Sequence, residues 1–144
     1  MSDSPLSKKL KNIIQPIMRN QDYAKFGDSL TNFLYSVAKT NVLHKPCGER
    51  VYDAVLAEAL KQANLRSIMP SSVSAGILGD GVEALIGYVY LEKICTIQEL
   101  INLLEASLKE KSSMLKKRKQ EKILMKNAFQ KVLEYILKKL RNIT

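Results

Sequence analysis

Apolar residues recur along the chain at the three- and four-residue intervals of helices, and no stretch keeps a two-residue alternation between turn signals. The pattern predicts an all-α fold. Leu6, Leu10, Ile13, Ile14 and Ile17 form an apolar stripe over residues 6–18, with Pro16 limiting its continuity. A second helix is expected over 22–39. His44, Pro46 and Gly48 then mark a loop, after which Val51, Val55, Leu56, Ala59 and Leu60 stripe a third helix ending near residue 64. Pro70 reads as a stop and Ser71 or Ser72 as the cap of a fourth helix over 73–93, apolar on most faces and therefore expected at the centre. Thr96 and Glu99 form a capping box that starts a fifth helix. Leu124, Phe129, Val132, Leu133, Ile136 and Leu140 stripe a sixth over 120–141, and Ser112 and Ser113 either separate the last two or lie in one long bent helix.

The 144 residues suffice for one hydrophobic core, so a single domain over 1–144 is expected, with a basic helical segment from about 105. Charge sharpens this division. Residues 105–144 carry twelve Lys/Arg against four Asp/Glu, whereas residues 1–104 carry eleven against ten. A basic face of this kind attracts polyanions, nucleic acid or an anionic membrane surface, although Lys-rich solvated helix faces are also common. The longest apolar stretch, residues 82–91, is interrupted by Glu83, so no membrane span is expected and the protein reads as soluble and cytoplasmic. Cys47 and Cys95 have no metal-ligand spacing and read as two reduced thiols rather than a disulfide or a zinc site.

The fourth helix holds the candidate chemistry. Gly76, Gly79 and Gly81 interleave with Asp80 and Glu83 in an otherwise apolar segment. Each interior glycine weakens a helix by roughly 1 kcal/mol relative to alanine, a cost accepted where another helix or a ligand must approach the backbone. Three-residue spacing puts Asp80 and Glu83 on one face. Buried carboxylates need a cation or an ion-pair partner. The second helix offers a third acid, Asp28, after Gly27. If the two helices pack together, Asp28, Asp80 and Glu83 make a set of hard oxygen ligands suited to Mg2+ or Mn2+.

The segment Phe26-Gly27-Asp28-Ser29-Leu30, followed by Asn32-Phe33, resembles the signature motif of ribonuclease III. Gly79-Asp80-Gly81-Val82-Glu83-Ala84-Leu85-Ile86-Gly87 resembles the second acidic motif of that family. The resemblance covers about residues 5–105, and Gly48-Glu49-Arg50-Val51 with Val55-Leu56-Ala57-Glu58-Ala59-Leu60 looks most like a compact archaeal branch. It implies an all-helical endonuclease domain acting as a homodimer on double-stranded RNA, in which a divalent metal activates water for in-line attack and leaves 5′-phosphate and 3′-hydroxyl ends. Asp28, Asp80 and Glu83 fall on metal-binding positions, with Asp28 and Glu83 as the catalytic pair.

Two departures follow from the same resemblance. The positions matching two upstream glutamates of the bacterial pattern are Gln21 and Ala24, and one of those glutamates is a metal ligand in the family. Asp22 cannot replace it, because six residues from Asp28 puts it on another helix face. A reduced acidic set also occurs in the Mini-III branch, which is similar in lacking a separate RNA-binding domain, and this chain leaves no room for one. Lys116, Lys117, Arg118, Lys119 and Lys122 are therefore the expected phosphate contacts, since duplex RNA is read mostly by shape. The competing reading is a catalytically defective module that binds or scaffolds structured RNA. A basic helical DNA-binding regulator has the charge but lacks a turn-plus-recognition-helix pattern. His44 is expected at the surface, and Tyr23, Tyr88 and Tyr90 in packing roles.

Overall fold

The computed structural model describes residues 6–144, so the first five residues of the expected domain lie outside the described residues. Six α-helices appear: α1 Lys8–Met18, α2 Gln21–Leu43, α3 Asp53–Gln62, α4 Ala75–Leu91, α5 Ile97–Glu110 and α6 Arg118–Ile143. Short 3-10 turns at Arg66–Ile68 and Ser112–Lys116 complete the bundle, with no strand among the described residues. The all-helical expectation holds.

Helix α4 is the centre. Its residues Leu78, Val82, Ala84, Leu85, Ile86 and Val89 are buried, and it packs against α1, α2 and α3, most extensively against α2. α5 lies on α2, and α6 crosses α3 and α5. Ser112–Lys116 breaks the C-terminal segment into two helices rather than one bent one. The α5 capping box forms in both directions: Glu99 N–H donates to Thr96 Oγ1 at 3.1 Å, and Thr96 N–H to Glu99 Oε1 at 2.9 Å.

Helix ends depart most from expectation. α4 begins two residues late, because the Ser74 side chain, not Ser71 or Ser72, caps it by accepting from the Ile77 N–H; in the loop before it the Arg66 guanidinium donates to the carbonyls of Met69, Pro70 and Ser71. α2 runs a turn further than expected and ends at exposed His44, whose φ of 57° is the left-handed cap conformation. Burial works against a charged Lys39 near that end, but its bonds to Glu49 at 2.5 Å and Glu121 at 2.9 Å prevail and raise its pKa. Tyr35 donates to Glu121 at 2.7 Å, so α2, the 44–52 segment and α6 share one buried polar cluster.

The path from α2 to α3 is set by α2 itself. Asn32, Ser36 and Thr40, spaced by four, accept hydrogen bonds from the N–H groups of Val51 (2.7 Å), Glu49 (2.9 Å) and Cys47 (2.8 Å), spaced by two. Four helical residues advance about 6 Å and two extended residues about 6.6 Å, so the registers match. The segment runs back along α2 and delivers Asp53, the first residue of α3, beside α4.

Candidate metal centre

α2 and α4 cross antiparallel at very short range, with Gly27 against Glu83 and Gly87 against Tyr23. A Cβ on Gly27 would stand 1.8 Å from the Glu83 carbonyl oxygen. Tyr23 meets Tyr88 edge-on at 5.4 Å and Phe26 stacks on Tyr90 at 6.0 Å, so the tyrosines flank this crossing as packing residues. Gly79 serves the other neighbour: a Cβ there would be 2.9 Å from the Asp53 Cα. Gly81 admits Met18 in the same way. Gly79, Gly81 and Gly87 of α4 thus make room for protein neighbours, whereas a Cβ on Gly76 would meet only ordinary contacts.

These approaches gather four acids. Ligand oxygens of Asp53, Asp80 and Glu83 lie within 4.8 Å of one another. Asp28 completes the group: its carboxylate is within hydrogen-bonding reach of Glu83 and its charge is felt at Asp80. Asp28 and Asp53 are exposed, Asp80 is half-buried, and Glu83 is only 3% exposed. Of the three acids read from the sequence, Asp80 and Glu83 fall in this close group, whose third member is Asp53, while Asp28 lies beside it against Glu83. The signal of Asp53 was weak in the sequence, because an Asp opening a helix is ordinarily a dipole partner.

The electrostatics of this cluster are those of a site short of positive charge. Burial pushes the Glu83 carboxyl up to about 9, reinforced by its hydrogen bond to Asp28 and by the charges of Asp28, Asp53 and Asp80. At neutral pH Glu83 therefore keeps its proton. Its Oε2 nevertheless has no hydrogen-bond partner. Burial, then Asp53 and Asp28, raises Asp80 as well. Oxygens around an octahedral Mg2+ or Mn2+ stand about 3 to 4.2 Å apart, so a small inward movement of these carboxylates would suit either ion. An unpartnered buried carboxylate oxygen among three more acids fits a hard divalent cation.

A ribonuclease III family model matches residues 21–142. The chain belongs to the ribonuclease III family. The match takes in α5 and α6, so the C-terminal helices are part of the ribonuclease III domain, beyond the extent read from the motifs alone. No curated protein matches the chain. Against the ribonuclease III pattern, Gln21 is the exposed first residue of α2 and Ala24, one turn before Asp28, is buried, so neither offers a carboxylate. Asp22 is exposed on α2. Within the described residues no helix is long and apolar enough to cross a membrane. Cys47 and Cys95 are both free thiols.

Part of the basic stretch stands over Tyr52, the residue before Asp53. Lys116 ends the second 3-10 turn, Lys117 caps α6, and Lys116, Lys117, Arg118, Lys119 and Lys122 are all exposed. The Arg118 guanidinium stands 5.9 Å and the Lys122 ammonium 4.6 Å from the ring centre of Tyr52. Cations at a helix start oppose the macrodipole, but Arg118 is held there by Glu49, whose carboxylate accepts from its guanidinium at 3.4 Å.

A pH dependence follows from Glu83. Its folded pKa of about 9 lies above the ordinary carboxyl value, so between those limits the folded state holds a proton that the unfolded state has lost. That contribution is complete at low pH and lost as pH rises toward 9. In chelator, the melting temperature should fall from pH 5 to pH 9, and Mn2+ should raise it more at pH 8.5 than at pH 6, since binding displaces the proton. A flat profile across this range would refute a buried, protonated Glu83.

Proposed function

We propose that the protein is a metal-dependent endoribonuclease that hydrolyses double-stranded RNA to 5′-phosphate and 3′-hydroxyl ends. The observation that carries this reading is the unpartnered, buried Glu83 carboxyl set among Asp28, Asp53 and Asp80 on helices of a ribonuclease III domain. Asp28, Asp80 and Glu83 would hold Mg2+ or Mn2+, with Asp28 and Glu83 nearest the reacting phosphate. Asp53 supplies from α3 the carboxylate that Ala24 cannot supply from α2. An ion of this type, once bound, polarises water and neutralises charge at the phosphate. The carboxylates orient it. Lys116, Lys117, Arg118, Lys119 and Lys122 would contact the RNA backbone, adding affinity without sequence reading. The missing upstream carboxylates support a reading of the chain as similar to the compact archaeal, Mini-III-like branch.

A homodimer belongs to the same proposal. Phe26 and Phe33 on α2, seven residues apart, and Ile77 on α4 remain exposed on the two helices that carry the acids. A second copy covering them would align two acidic clusters along one duplex. A monomer mass in sedimentation at micromolar concentration would remove this part of the reading.

Incubation of a long RNA duplex with protein and Mn2+ tests the function. Fragments with 5′-phosphate ends are expected, and Asp53→Asn should slow their formation at least roughly 10-fold, the smaller loss seen when even an outer partner of a metal is removed. The second reading, an RNA scaffold, is favoured by the buried methyl of Ala24 where the family has a ligand. It predicts duplex RNA that is retarded in a gel and uncut at any metal concentration.

A further inference from the structure

The polar row on α2 contains one irregularity. At Ser36 and Thr40 the hydroxyl both accepts from the N–H and donates to the carbonyl of the same residue, at 3.3 Å to Glu49 and 3.3 Å to Cys47. Each hydroxyl thus closes both halves of a backbone bridge. At Asn32 only the accepting half goes to the segment, through Oδ1 to the Val51 N–H. The donating half is diverted: Nδ2 bonds the Asp28 Oδ1 at 3.2 Å, one turn back along the helix. Val51 is buried and stands two residues before Asp53.

We propose that Asn32 is a positioning residue of the carboxylate cluster, one amide that fixes the Asp28 carboxylate with its nitrogen and the Asp53-bearing segment with its oxygen. The inference rests on the metal-binding reading above and adds a coupling between its two exposed acids. Asp28 and Asp53 come from different elements, and both face other carboxylates that repel them when no cation is bound. Asp28 is exposed, so water would otherwise leave its rotamer free. A donor held rigid by its second bond orients that carboxylate in advance, as outer partners do for metal ligands generally. A serine at this position would have the group that already serves at 36, leaving the backbone bond available while withdrawing the donor from Asp28.

The test is Mn2+ affinity, measured by titration with electron paramagnetic resonance on the full chain, for wild type, Asn32→Ser, Ser36→Ala and Glu83→Gln. Asn32→Ser should bind Mn2+ about 10-fold more weakly. Ser36→Ala breaks the same row away from the acids, so it should lower the melting temperature and leave affinity within about twofold. Wild-type affinity in a folded Asn32→Ser would overturn the coupling while leaving the metal site intact. Wild type that binds no Mn2+, or no better than Glu83→Gln, would overturn the metal reading and this inference with it. Should Asn32→Ser fail to fold, the wild-type Asn32 side-chain amide signals decide: they should shift on Mg2+ addition, and unmoved signals would refute the proposal.

Discussion

Glu83→Gln is expected to abolish metal-dependent cleavage of duplex RNA while making the metal-free protein more stable at pH 8. The two effects share one cause. Glu83 is buried and its carboxyl is held protonated by burial and by Asp28, Asp53 and Asp80, so near pH 8 the folded state forgoes an ionisation open to the unfolded chain. Glutamine has nearly the same shape and cannot ionise, which removes that penalty. It also removes the negative oxygen that a divalent ion needs at the deepest point of the cluster. Loss of an outer partner costs a metal site roughly 10- to 100-fold in affinity or activity, and loss of a ligand should exceed the upper figure. Melting in chelator at pH 8 and cleavage in Mn2+ measure both arms. A variant that cuts RNA at the wild-type rate, or one less stable than wild type at pH 8, would sink the assignment of Glu83.

Asp28, Asp80 and Glu83 were readable because each lies in a glycine-flanked motif on an amphipathic or apolar helix, where a carboxylate needs a reason. The central place of α4 was readable from its apolar faces, and the α5 start from Thr96 and Glu99. Asp53 was not, because its neighbours in sequence carry no trace of its neighbours in space. Its position depends on three polar side chains of α2 at four-residue spacing and on the hydrogen at Gly79 where a Cβ would collide. That spacing was present in the sequence, yet a polar stripe on a helix ordinarily faces water. The late start of α4 reflects a choice among Ser71, Ser72 and Ser74, all able to cap, which only the Ser74 hydrogen bond to the Ile77 N–H decides.

Gly27→Ala should give the largest loss of stability of any single methyl added to this chain. On helix propensity alone the change would help by roughly 1 kcal/mol. Space decides otherwise. The new Cβ would lie 1.8 Å from the Glu83 carbonyl oxygen and 2.5 Å from its carbonyl carbon, both backbone atoms of the central helix that no rotamer change can move aside. α2 and α4 must separate, opening the packing between Tyr23 and Tyr88 and between Phe26 and Tyr90. Overpacking a core typically costs about 1–3 kcal/mol, and a backbone collision of this depth belongs at or beyond the top of that range. At about 2–4 °C per kcal/mol for a chain of this size, the melting temperature should fall by about 6–12 °C. Gly48→Ala is the matched control, for nothing stands within 4 Å of its added methyl, and its change should stay within about 0.5 kcal/mol. The separation also carries Glu83 away from Asp28, so folded Gly27→Ala protein should lose Mn2+ binding together with stability. Equal melting temperatures for the two variants would mean that α2 and α4 do not cross here, and the carboxylates they carry would then have no common centre.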